Sequence, residues 1–60
     1  MDIKELRQRF LMEAEMLKIM LPFYVEDEDT TNTILDRILE IKRFIEELDK
    51  ELDNENNPTP

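Results

Sequence analysis

The sequence predicts an all-α protein: an antiparallel two-helix hairpin that dimerises into a four-helix bundle. Three observations lead there. Ile34, Ile38, Ile41, Ile45, Leu48 and Leu52 recur at gaps of four, three, four, three and four residues, which is the seam of packed helices. The chain has no glycine, so it lacks the residue that tight turns and ligand cradles use most, while Leu, Ile, Met, Glu and Lys favour helix. A polar stretch without periodicity, residues 26–32, separates two segments of about 20 residues, and such a link suits an αα-hairpin.

The first helix is expected from Asp2 to about Leu21. Ile3, Leu6, Phe10, Ala14, Leu17, Leu21 and Tyr24 share one face. Asp2 is a good N-cap with Glu5 three residues later, in the manner of a capping box. Glu5 and Arg9 form an i,i+4 pair in the favourable order. Pro22 removes one helical hydrogen bond. The apolar pattern continues past it through Phe23, Tyr24 and Val25, which favours a kinked extension to 25 over a stop at Leu21.

Glu26, Asp27, Glu28 and Asp29 open the link. The second helix is expected from about Thr33 to Asp53, with Thr33 and Asp36 as a weak capping box and Thr30 and Thr31 as competing caps. Glu46 and Lys50 support it at i,i+4. Residues 54–60 have no apolar side chain and two prolines, and are expected to be a disordered tail.

Sixty residues are one small domain, and a chain of that size buries only about 60% of the surface its unfolded form exposes. With no cysteine and no histidine, disulfides and the common zinc ligands are excluded, which leaves association as the usual source of further stability. The first helix carries the surface for it. Met12, Met16, Ile19 and Phe23 form a second stripe at gaps of four, three and four, with Met20 at its edge. One hairpin contact cannot cover two faces, and an uncovered apolar face marks an interaction surface. Leu35, Leu39 and Phe44 likewise widen the seam of the second helix. The expected partners are a second copy and another protein. Methionines 1, 12, 16 and 20 could suit an adaptable binding surface, but ordinary core packing at helical spacing is the favoured reading of them.

The net charge of −8 falls wholly on residues 26–60, since residues 1–25 balance four bases against four acids. Direct nucleic-acid binding and attachment to anionic membranes are therefore not expected. Asp36, Glu40, Glu46, Glu47, Asp49, Glu51 and Asp53 form an acidic surface that suits steering toward a basic partner or imitation of nucleic-acid phosphates, diluted by Arg37, Lys42, Arg43 and Lys50. The acidic link lacks the glycine and the ligand spacing of a calcium loop. No metal or cofactor site is expected. Catalysis is not expected either, because the chain has no histidine, cysteine or serine and a single hairpin offers no enclosed pocket. The first ten residues are charged throughout, unlike a signal peptide, and the most apolar run, Met16–Val25, is half the length of a membrane span. A cytoplasmic location is the expectation.

Overall fold

The computed structural model describes the backbone of residues 1–56 and side chains to Asn54. The chain is an all-α helical hairpin. Helix α1 spans Ile3–Met20, a 3-10 turn spans Leu21–Tyr24, and helix α2 spans Glu28–Asn56.

The start of α1 follows its capping chemistry. Asp2 has an extended backbone, and its Oδ1 accepts the Glu5 N–H at 2.8 Å. This satisfies one of the first-turn donors that have no helical acceptor. At the other end Leu21 still donates its N–H to the Leu17 carbonyl, but Pro22 has no N–H to return to Lys18. The α-helix therefore closes at Met20 and the chain tightens into a 3-10 turn with Pro22 in its first positions. The backbone keeps its right-handed helical sense to Val25, so the apolar pattern does continue past the proline.

The link is much shorter than the expected 26–32, and α2 starts at Glu28 rather than near Thr33. Asp27 is the reason. Its Oδ1 accepts the Thr30 N–H at 3.1 Å and its Oδ2 accepts the Thr30 hydroxyl at 2.8 Å. Its carbonyl takes the Thr31 N–H at 2.9 Å, which closes the first turn of the helix. Glu28 and Asp29 then place negative charge at the positive end of the helix dipole. The Asp27 N–H bonds to the Tyr24 carbonyl at 2.9 Å, and the same carbonyl accepts the Thr31 hydroxyl at 2.6 Å. These bonds turn the chain back without glycine and without any residue at positive φ. Thr33 is inside the helix, where its hydroxyl bonds to the Asp29 carbonyl.

At its far end α2 continues past Asp53 to Asn56, because no glycine or proline interrupts 28–56. Residues 54–56, expected in a disordered tail, are thus helical, and the rest of that expected tail, 57–60, lies outside the described residues. The helices are unequal, at 18 and 29 residues.

The core is the contact of the two predicted stripes. Ala14, Ile34 and Ile41 are buried, and Ile41 is 0% exposed. Ile3, Leu6, Phe10, Leu17 and Leu21 of the first stretch and Ile38, Ile45, Leu48 and Leu52 of α2 are half-buried around them. Phe44 stacks on Phe10 with ring centroids 5.2 Å apart and planes inclined by 26°. Such offset aromatic pairs contribute beyond the area they bury.

Among the described residues two ion pairs cross between the helices. Arg7 Nε donates to Asp49 Oδ1 at 2.6 Å. Arg37 grips Glu13 in a fork, Nε to Oε2 at 2.6 Å and Nη2 to Oε1 at 3.1 Å. Arg7 and Glu13 are six residues apart, which puts them on opposite flanks of the α1 core stripe. Pairs this exposed add little stability. Placed on both flanks, they fix the rotation of α1 against α2.

Candidate association face

Met12, Met16, Ile19 and Phe23 lie along the side of α1 turned away from α2. The helical period dictates this, since Met16 is about 200° round from Ala14 and Ile19 about the same from Leu17. All four are exposed, from 57% at Met12 to 81% at Phe23, and Met20 at the edge is 37% exposed. Phe23 follows in the 3-10 turn and is the most exposed of the four. The five side chains predicted from the sequence thus form one strip. Val25 prolongs the exposed apolar surface at the hairpin turn.

The position of this strip decides what it can build. In a closed four-helix bundle each hairpin offers one side of both its helices. Here the strip belongs to α1 alone and faces directly away from α2. The strip by itself therefore supplies only the α1 half of such a face.

A second apolar feature was not read from the sequence. Leu11, Ala14, Ile38, Ile41 and Ile45 floor a groove of about 400 Å³ between the helices. Glu15 and Lys18 form one bank, and Lys42 and Glu46 the other. Leu11 belongs to neither repeating stripe, so periodicity passes over it. The available signal was Ala14, a small residue in a stripe of large ones, where a methyl side chain leaves space against the seam of α2. Leu35 and Leu39 are exposed on α2.

The acidic surface is partly consumed by internal pairing. Asp49 is half-buried against Arg7, Glu47 takes the Lys50 ammonium at 3.3 Å, and Glu40 shares Arg37 with Glu13. Hydrogen bonding from Arg37 holds the Glu13 carboxyl below its usual range, opposed by desolvation and assisted by the Arg37 charge, and Glu13 and Glu40 push the guanidinium up in return. Asp36, Glu46, Glu51 and Asp53 enter no ion pair among the described residues, and Lys42 and Arg43 stand between them. This alternation differs from the even charge ladder of a phosphate backbone.

Among the described residues no three carboxylates come together in a geometry that holds a metal ion. No described helix is long and apolar enough to cross a membrane. Comparison of the chain with protein families, curated proteins and solved structures found no match, so its functional reading rests on its own residues.

Proposed function

We propose that the chain is a protein-binding module of the regulator, inhibitor or adaptor kind, working by helix–helix packing in the cytoplasm. Its binding face is the α1 strip of Met12, Met16, Ile19, Met20 and Phe23, and its first partner is a second copy of itself. The single observation that carries this reading is the exposure of that strip on a helix whose other face is already committed to the core. Large apolar side chains left in water forgo about 25 cal/mol per Å² of area, and a continuous row of them is a stored interaction surface. The acidic flank then steers encounter with a basic surface on a further partner.

A nucleic-acid mimic is the competing reading, and charge substitutions separate the two. With the apolar strip as the binding element, Ile19→Asp abolishes association in sedimentation velocity while the far-ultraviolet circular dichroism stays helical. Reversing Glu46 and Glu51 to lysine leaves association within about twofold, as expected for exposed charges away from the interface. A chain that associates unchanged with Asp at 19 and fails with Lys at 46 and 51 contradicts the proposal.

A further inference from the structure

We infer that the α1 strip receives a second copy of this chain in antiparallel orientation, about a two-fold axis crossing α1 between Met16 and Ile19; this rests on the strip being the association face.

Two observations carry the orientation, and a third bears on whether the contact is large enough. The gaps of four, three and four are symmetric about that midpoint. An antiparallel copy therefore sets Met12 opposite Phe23 of the second copy and Met16 opposite Ile19 of the second copy, with long flexible side chains against rigid ones. Two-fold closure of this kind uses the same patch twice and stops at the dimer.

The charges at the two ends of the strip are complementary. Near its start Arg9 lies on the strip side of α1, Arg7 being taken by Asp49, and its end abuts the run Glu26, Asp27, Glu28, Asp29. Lys4 and Arg9 enter no ion pair among the described residues. Arg9 and Glu26 lie equally far from the midpoint in sequence, which for Arg9, inside α1, is about 13 Å along the helix axis. Antiparallel docking therefore brings Arg9 of each copy toward the acidic turn of the other. Parallel docking sets four acids against four acids, and like charges at short range are repulsive.

The area is sufficient. Taking roughly 200 Å² for a fully exposed large apolar side chain, the exposed fractions of the five residues amount to on the order of 600 Å² per copy. The total of about 1,200 Å² is at the lower bound of specific interfaces. The product is a row of four helices in the order α2, α1, α1, α2, assembled reversibly.

The chain has no cysteine, so an introduced one reports its own neighbours. Met12→Cys and Phe23→Cys proteins, both at exposed positions, are mixed in equal amounts and oxidised mildly, with Leu39→Cys as a probe of α2. The expected product is the mixed 12–23 disulfide, in roughly tenfold excess over either homodisulfide. In the antiparallel pair two copies of position 12 are about 16 Å apart, beyond disulfide reach. Predominant 12–12 and 23–23 products overturn the orientation while leaving the face intact. Preferential 39–39 linkage moves the contact to α2 and overturns the face as well. A helical unmodified chain that stays monomeric by mass assigns the strip to a different protein or a lipid surface, and overturns both this inference and the self-association behind it.

Discussion

Ile41 is the most enclosed side chain of the described residues, and it sits where the α2 seam meets the smallest residue of the α1 stripe. Its truncation to alanine removes packing on both sides, at a cost of about 2–5 kcal/mol. Small single-core chains have about that much stability in total. Ile41→Ala should therefore lose most of its helical circular dichroism at 25 °C, whereas Leu39→Ala, at an exposed site, should keep it. Asp27 acts through its charge. Two donors from Thr30 hold its carboxyl below the usual aspartate range. A depressed native pKa means that the stabilisation is fully present above the unfolded-state value of 3.8 and lost as pH falls through the lower native one. Glu13, held down by Arg37, adds a loss of the same sign below 4.5. Asparagine caps a helix about as well as aspartate but does not titrate. Asp27→Asn should thus leave the melting midpoint at pH 7 nearly unchanged and flatten its decline below about pH 4. An acid limb identical to that of the parent chain would contradict this role.

At the scale of elements, the two stripes and the first cap were legible because each rests on local chemistry with a fixed spacing. The six-residue α2 seam and the α1 core stripe meet as their periods require. The start of α2 was misplaced because apolar periodicity is silent before Ile34. Asp27 and Thr30 repeat the spacing of Asp2 and Glu5, and a helix begins where its first donors find an acceptor, not where its first apolar residue stands. The far end was misplaced for a related reason. Polar residues carry no packing signal, yet nothing in Asn54–Asn56 prevents a helix from running on. This last turn extends beyond Leu52, the seam residue that lies near Ile3. No basic residue in the last turn offsets the negative end of the helix dipole. A chain ending at Asp53 should therefore melt within about 2 °C of the full chain. One ending at Glu47 loses Leu48, Asp49 and Leu52, and with them the Arg7 pair, and should not fold. Equal melting of the two truncations would show that the open end of the hairpin contributes nothing.

For the whole molecule, the exposed apolar strip was legible and the groove was not. The strip repeats on one helix, so sequence spacing alone exposes it. The groove arises between helices, from Leu11 beside a small Ala14, and depends on how closely two elements approach. The strip sits on a chain of net charge −8, so two copies repel at long range while their apolar faces attract at contact. Raising salt from about 20 to about 200 mM screens both this repulsion and the attraction of Arg9 to the acidic turn, so the apolar contact should persist within about threefold in sedimentation equilibrium. Binding carried by an acidic mimic surface would weaken instead. The most direct test of the account is the absolute mass of the full chain by light scattering at micromolar concentration, with helicity checked on the same sample. The account predicts twice the chain mass, falling to the monomer with Ile19→Asp. A stable, fully helical monomer would contradict it.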